Sequence, residues 1–256
     1  MFKAIRIAIL LLVLVFVGMG TWLSAARSTD WNNSLYVKVY PINGDGSDAS
    51  AKHIERLKLS HFEPIETFLQ REVERHGQSV DRPVRVQLGT VIQEQPPTIG
   101  ADANVLDVML WSLKLRWWAD NMGDAQDDIE PDVRIFVRFH EPVATIRLEN
   151  SVGLQKGMVG IVNGYAGAQH RGITNVIIAH EFLHTLGATD KYDPSYGHPT
   201  VPDGLAEPDR KPLFPQRFAE LMGGRIALAE DDSVIPKSLK YVRIGELTAR
   251  EIKLVK

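Results

Sequence analysis

The segment from Val176 to Leu186 is apolar on nearly every side when it is drawn as an α-helix. A surface helix keeps a polar stripe for solvent, so a helix with hardly any such stripe has to be buried within its domain. Gly187 follows the segment and is typical of a helix end, because glycine tolerates the left-handed backbone conformation. The sequence therefore predicts a buried central helix, whose start Thr174 or Asn175 can cap.

This helix carries a metal-binding pattern, His180-Glu181-Phe182-Leu183-His184. His180 and His184 are four residues apart, so both imidazoles project from one face of the helix and can bind the same ion. Glu181 is placed to reach a water molecule on that ion without binding the ion itself. Zinc lowers the pKa of a bound water to about 7, and a neighbouring glutamate can then take its proton. Glu181 is therefore the predicted catalytic base.

A third metal ligand is predicted just after the helix, at Asp190. The turn at Gly187 can lead the chain back, so that the Asp190 carboxylate reaches the ion bound by the two histidines. A catalytic zinc site needs three protein ligands and one open position. His180, His184 and Asp190 are therefore the predicted ligands of Zn²⁺. The chain has no cysteine, which excludes a cysteine-based zinc site, a disulfide framework and a thiol nucleophile.

The complete spacing, His180-Glu181-x-x-His184-x-x-Gly187-x-x-Asp190, resembles the long zinc signature of the metzincin peptidases. It is most similar to the variant found in snapalysins, in which an aspartate replaces the usual third histidine. The resemblance implies zinc-dependent hydrolysis of peptide bonds and a zincin-like fold. It covers only a small part of the chain, from the motif helix to the segment 219–225.

Two further features are implied by the resemblance. Metzincins carry a methionine turn beneath the metal, and Met222 is the candidate for it, with ordinary packing in the core as the alternative. A zincin also has an edge strand above the helix that holds substrate in an extended conformation. The segment 158–164, just before the motif helix, is where that strand is expected.

The rest of the sequence alternates between strand and helix patterns. Strands are predicted where apolar and polar residues alternate, and helices where apolar residues recur every three or four positions. The predicted strands are 34–40, 84–92, 133–139 and one or two within 147–165, and the predicted helices are 50–76, in two pieces, and 104–120. This order predicts an α/β (α+β) domain over residues 34–256, with helices packed on a mixed, twisted sheet. With the resemblance, the expectation is a zincin-like domain around the central HExxH helix.

The helix predicted at 104–120 rests on one apolar stripe. The stripe consists of Leu106, Met109, Leu110, Leu113 and Trp117. Trp111 and Trp118 lie off it and are assigned to a neighbouring surface.

The first residues are typical of an export signal. Lys3 and Arg6 precede an apolar stretch over residues 7–23, which is the pattern of a signal peptide or a membrane anchor. Residues 1–26 are therefore predicted to be a signal anchor or a signal peptide, and residues 27–33 a linker. Because basic flanks stay in the cytoplasm, the rest of the chain is expected outside it. The protein is then either anchored in the membrane by a single N-terminal helix or secreted.

The predicted function is a zinc-dependent peptidase, an endopeptidase acting on a peptide or protein substrate. Two alternatives stay open: a non-catalytic exported zincin-fold domain that binds metal or peptide, and a zinc hydrolase of another amide. The net charge of −3 is too small to indicate a nucleic acid as partner. Tyr192, Tyr196 and His198 are candidates for donating a hydrogen bond to the oxyanion. The oligomeric state stays open.

Overall fold

The computed structural model describes residues 29–100, 102–122, 130–143, 151–155 and 157–255. These residues form a mixed α+β domain built on a five-stranded sheet, which confirms the predicted α+β class. The strands of this sheet are β1 (Leu35–Asn43), β2 (Val84–Leu88), β3 (Val133–His140), β4 (Val152–Leu154) and β5 (Val159–Tyr165). The main helices are α1 (Asp48–Glu55), α2 (Glu63–Arg75), α3 (Val105–Asn121) and α4 (Arg171–Thr185).

The sheet has the strand order β2-β1-β3-β5-β4. Strands β1, β2, β3 and β5 run parallel, whereas β4 is antiparallel to β5 and forms one edge. The chain passes from β1 to β2 on one side and then returns to place β3 on the other side of β1. The direction of winding therefore reverses between β1 and β3.

Helices cover both faces of the sheet. On one face, Phe68 of α2 and Phe182 of α4 belong to the larger hydrophobic core. On the opposite face, Leu115 and Trp118 of α3 belong to a second core that includes Phe136 of β3. The rings of Trp118 and Phe136 have centroids 4.6 Å apart. Strands β1 and β3, in the middle of the sheet, therefore have buried residues on both of their faces.

Helix α3 buries a different face from the one that the sequence indicated. Its bounds agree with the predicted 104–120, and the Asn104 side chain caps its start by accepting from two backbone N–H groups. The predicted stripe is more than half exposed at every position, namely Leu106, Met109, Leu110, Leu113 and Trp117. Leu115, Trp118 and Ala119 are buried instead. The helix carries apolar residues on several faces, so periodicity alone did not identify the face that contacts the sheet.

The prediction of a membrane-spanning helix is corrected by the structure. None of the helices formed by the residues described above is long and apolar enough to cross a bilayer. Residues 1–26, on which the prediction was based, lie outside the described residues. In the predicted linker, 27–33, the Trp31 side chain is buried and its indole N–H donates to the carbonyl oxygen of Ile252 at 2.9 Å.

The chain after α4 packs against α2 and α4 through short elements. These are β6 (Ala219–Glu220), β7 (Ile226–Ala227), β8 (Ser233–Val234), β9 (Val242–Arg243) and α5 (Glu246–Glu251). β6 pairs with β9, and β7 pairs with β8. The fully buried carboxylate of Glu72, on α2, accepts from the backbone N–H of Ile244 at 3.0 Å and pairs with Arg75. This contact fixes the C-terminal segment that supports the site described next.

Candidate metal centre

Helix α4 starts earlier in the chain than the sequence indicated. A short 3₁₀ turn at Ala168–His170 leads into Arg171, so the predicted caps Thr174 and Asn175 lie inside the helix. The Thr174 hydroxyl donates to the carbonyl oxygen of His170 at 3.1 Å, and the Asn175 amide donates to that of His61 at 2.9 Å. The Asn175 side chain is thus used in a tertiary contact, which the local sequence did not reveal.

The structure brings His180, His184 and Asp190 together at one point. The Oδ1 atom of Asp190 lies 3.1 Å from Nε2 of His180 and 3.2 Å from Nε2 of His184. One ligand atom from each of the three residues lies within 4.8 Å of the others. Two ligands of a tetrahedral zinc ion, with bonds of about 2.0–2.1 Å, are roughly 3.3 Å apart. The donor set and its spacing therefore fit a zinc ion.

Gly187 turns the chain back towards the two histidines, as predicted. Its φ angle is +104°, in the left-handed region that glycine tolerates. The Gly187 N–H donates to the carbonyl oxygen of His184, and the Ala188 N–H to that of Leu183, both at 3.0 Å. These bonds close the end of α4, and Asp190 follows within reach of both histidines.

Backbone carbonyl groups determine the tautomers of both histidines. Nδ1 of His180 lies 2.9 Å from the carbonyl oxygen of Leu221, and Nδ1 of His184 lies 2.8 Å from that of Ala188. A carbonyl oxygen can only accept, so each Nδ1 carries the proton. In the neutral ring each Nε2 then keeps its lone pair, and each Nε2 lies next to Oδ1 of Asp190. A histidine that binds metal through Nε2 needs this tautomer.

The turn that provides the Leu221 carbonyl is held by Glu220, a residue that sequence reasoning missed. Glu220 is fully buried, and burial raises the pKa of its carboxyl group. The carboxylate accepts from the N–H groups of Gly223 at 2.7 Å and Gly245 at 3.0 Å, and from the Thr248 hydroxyl at 2.7 Å. Glu220 therefore ties the turn to the start of α5.

Met222 lies in the same turn and is fully buried. Its carbonyl oxygen accepts from the N–H of Lys191, next to Asp190, at 2.9 Å. The carbonyl groups of Leu221 and Met222 thus hold His180 and the backbone beside Asp190. One turn supports two of the three candidate ligands.

Glu181 is buried beside the three candidate ligands, with 4% of its surface exposed. Burial raises the pKa of its carboxyl group, while His180 and His184 act in the opposite direction. Its Oε2 atom is buried without a hydrogen-bond partner in the part of the chain that the structure describes. A buried carboxylate oxygen without a hydrogen-bond partner lowers the stability of the folded protein. The position of this atom therefore fits a site that binds a polar ligand.

Of the three predicted oxyanion candidates, Tyr192 lies beside the candidate ligands. Its ring centroid is 6.4 Å from that of His180. Burial, followed by the negative charge of Asp190 and a hydrogen bond to it, raises the pKa of Tyr192 to about 12. The hydroxyl group therefore stays protonated and remains a donor. Tyr196 is 77% exposed, and His198 is hydrogen-bonded to Ser233.

The edge of the sheet beside Glu181 is β4, and the prediction that 158–164 forms this edge is wrong. That segment corresponds to β5, which is paired on both sides, with β3 and β4. A Cβ atom added to Gly153 of β4 would lie 2.5 Å from the carbonyl oxygen of Glu181 and 2.6 Å from Cβ of His184. Only glycine permits this approach.

No protein-family model and no curated protein match this chain. Among solved structures, a chaperone–substrate complex matches with a TM-score of 0.42 and 14% identity, over 87% of this chain and 33% of that chain. Wild-type OgpA from Akkermansia muciniphila matches with a TM-score of 0.36 and 13% identity, over 84% of this chain and 58% of that chain. Catalytically inactive OgpA in complex with an O-glycopeptide substrate has the same TM-score and coverage, with 11% identity. The chain thus spans less than two thirds of the length of each of these structures. TM-scores and sequence identities this low assign neither a family nor a function.

Proposed function

We propose that this protein is a zinc-dependent peptidase with a zincin-like fold, in which His180, His184 and Asp190 hold the metal and Glu181 is the general base. The observation that carries the proposal is the convergence of three ligand atoms within 4.8 Å, next to a buried carboxylate. When bound, zinc would act as a Lewis acid and lower the pKa of a bound water to about 7.

Glu181 contributes a proton acceptor that is shielded from bulk solvent. Its buried Oε2 atom takes a proton from the attacking water, and the carboxyl group then delivers that proton to the leaving amine. The raised pKa of the Glu181 carboxyl group brings it closer to that of the water it deprotonates, which favours transfer in both directions. The protonated Tyr192 hydroxyl donates to the carbonyl oxygen of the substrate as negative charge develops there.

Strand β4 is the proposed substrate-binding edge. Within the described residues it pairs on one side only, with β5. Its other side can therefore pair with the backbone of an extended peptide. Gly153 brings this strand directly onto the backbone of Glu181, so a peptide paired there lies next to the catalytic base.

The turn around Met222 supports the zincin-like assignment. In the metzincin peptidases, which the motif resembles, a methionine turn lies beneath the metal. Here Met222 is fully buried, and the carbonyl oxygen of Leu221 orients the first histidine ligand. This turn is the proposed equivalent of the methionine turn.

A peptide library, incubated with wild type and with Glu181→Gln, tests the proposal. The variant is expected to lose activity by about 10²–10⁴-fold while it retains zinc, because only proton transfer is removed. Chelation is expected to abolish wild-type cleavage, and zinc to restore it. Glu55→Gln, at an exposed position on α1, is the matched control and keeps full activity.

Three results separate this proposal from the alternatives. Full activity of Glu181→Gln contradicts the assigned base. Binding of peptides without cleavage by the zinc-loaded wild type favours a non-catalytic domain. Cleavage of acetylated sugars or lipid amides, with peptides left intact, favours a hydrolase of another amide.

A further inference from the structure

A cavity of about 400 Å³ lies at the opposite end of α4 from the metal centre. Its walls come from α1 and the residue after it, from His61 before α2, from the segments that follow β3 and β5, and from Arg171 at the start of α4. Arg171 precedes His180 by nine residues, which places the two about 14 Å apart along the helix axis. The cavity is therefore separate from the proposed zinc site.

The cavity lies where the fold favours ligand binding. Its walls follow the carboxyl ends of the parallel strands β1, β3 and β5. The direction of winding reverses between β1 and β3, as the strand order shows. In open α/β sheets, ligands bind in the crevice outside the carboxyl ends of the strands at such a reversal.

Positive charge dominates the lining of this cavity. Lys52, Arg56 and Arg171 contribute three cations, and Glu141 contributes one carboxylate. None of the three cations forms an ion pair with another residue of the described ranges. In the same part of the chain, the buried Nε atom of Arg171 has no hydrogen-bond partner. These groups are therefore available to a ligand.

Two histidines add neutral donors to the same lining. Nδ1 of His53 accepts from the N–H of Gly167 at 3.1 Å, and Nδ1 of His61 accepts from the N–H of Lys58 at 3.3 Å. In the neutral ring each Nε2 then carries the proton and can donate. Burial, followed by the positive charge of Arg171, lowers the pKa of both rings.

This arrangement costs free energy unless an anion balances it. Like charges that lie close together repel, and Arg171 adds a cation near the positive end of the α4 dipole. A ligand with several acceptor oxygens and negative charge would relieve the repulsion and satisfy the N–H donors at once.

We propose that this cavity binds a small tetrahedral oxyanion of the phosphate or sulfate class. Lys52, Arg56 and Arg171 provide charge-assisted hydrogen bonds, and His53 and His61 provide neutral ones. The proposal does not depend on the peptidase assignment, because no residue of the zinc site lines the cavity.

Titration calorimetry with inorganic phosphate, in a buffer free of other oxyanions, tests the proposal. The wild type is expected to bind one phosphate per chain in a saturable manner. Arg171→Gln, and the double variant Lys52→Gln/Arg56→Gln, are each expected to weaken binding by about tenfold or more. Lys114→Gln, an exposed position on α3 across the sheet, is the matched control and binds as the wild type does. Circular dichroism verifies that each variant is folded.

Absence of saturable phosphate binding overturns the proposal, and so does equal binding by Arg171→Gln and Lys114→Gln. Because Lys52 and Arg56 are exposed, the double variant retains the fold even if Arg171→Gln does not. A phosphoserine peptide distinguishes the sources of the anion. Tighter binding of that peptide than of phosphate, removed by the same variants, assigns the site to a phosphorylated ligand. Tighter binding of phosphate assigns it to the free ion.

Discussion

Nδ1 of His180 lies 2.9 Å from the carbonyl oxygen of Leu221, a residue 41 positions later in the chain. This contact sets the tautomer of the first candidate ligand from outside its own helix. Glu220, next to Leu221, holds the turn that presents the carbonyl group. The geometry of the candidate metal site therefore depends on a distant and fully buried carboxylate.

Glu220→Gln is expected to lower both stability and zinc affinity. The amide of the variant keeps one acceptor oxygen, but its NH₂ group faces donors that the carboxylate accepted from. Buried donors are then left unpaired, and the free energy of unfolding is expected to fall by about 1–3 kcal/mol. Loss of a group that orients a metal ligand weakens metal affinity by about 10-fold or more. Urea unfolding and competition with a zinc chelator measure the two effects.

The matched control for this prediction is Glu246→Gln, whose exposed carboxylate pairs with Arg250 on the same short helix. Its effect on the free energy of unfolding is expected to stay within about 0.5 kcal/mol. Equal effects of the two substitutions would show that Glu220 does not position the turn.

Gly153→Ala is expected to disturb the approach of β4 to the motif helix. The added Cβ would lie 2.5 Å from the Glu181 carbonyl oxygen, so strand or helix must shift, at a cost of about 1–3 kcal/mol. Gly100→Ala is the control, because its added Cβ meets nothing within 4 Å and its φ is not in the left-handed region. Thermal unfolding of the two variants side by side measures the difference. A Gly153→Ala protein as stable as Gly100→Ala is incompatible with the described contact.

Tyr192→Phe is expected to slow peptide hydrolysis by about 10–10²-fold, because it removes a hydrogen-bond donor next to the reacting carbonyl. KM is expected to change little, and the zinc content is expected to be unchanged. Tyr196→Phe removes a hydroxyl group from a side chain that is 77% exposed, and serves as the control. If the two variants have the same kcat, Tyr192 has no part in stabilising the transition state.

Glu207 is expected to make stability depend on acid pH. A hydrogen bond from the Arg217 guanidinium is the largest cause that lowers the pKa of Glu207 in the folded protein. A lowered folded-state pKa means that the unfolded chain takes up this proton first as pH falls. The stabilisation is therefore complete above the ordinary glutamate pKa of about 4.3 and is lost as pH falls below it, through the folded-state pKa.

Urea unfolding from neutral pH down to about pH 3 tests this dependence. Glu207→Gln is expected to be less stable than the wild type at neutral pH, and the difference is expected to shrink as the medium becomes acidic. Glu55→Gln, exposed on α1, is the control. A difference that stays constant over the whole pH range contradicts the assigned role of Glu207.

The local parts of the site could be predicted from the sequence. The spacing of His180 and His184 on one helix face depends only on helix geometry. The return of the chain to Asp190 depends on one glycine, whose φ of +104° agrees with the prediction. The two-piece helix was also predicted correctly, because Ile65 and Phe68 lie on a single stripe that is buried in the structure.

The non-local parts could not be predicted. Glu220 follows an ordinary apolar residue, and nothing nearby in the sequence indicates that three donors surround its carboxylate. Gly153 pairs with Gly160 across two strands, and this pairing brings β4 against α4. The glycines at both positions were a usable signal of close backbone approach. In α3, Trp117 is exposed and Trp118 is buried. This difference depends on which face of the helix packs against the sheet, and the sequence of the helix alone does not determine that face.

The central claim is that His180, His184 and Asp190 form a zinc site, and the metal content of the purified chain tests it most directly. Zinc is measured by mass spectrometry after metal loading and removal of loosely bound ions, for the wild type, His184→Ala and Asp190→Ala. We predict one zinc per chain in the wild type, with weakened or absent binding in both variants, because each removes one of three protein ligands. A folded wild type that holds no zinc, or variants that hold as much as the wild type, would contradict the claim.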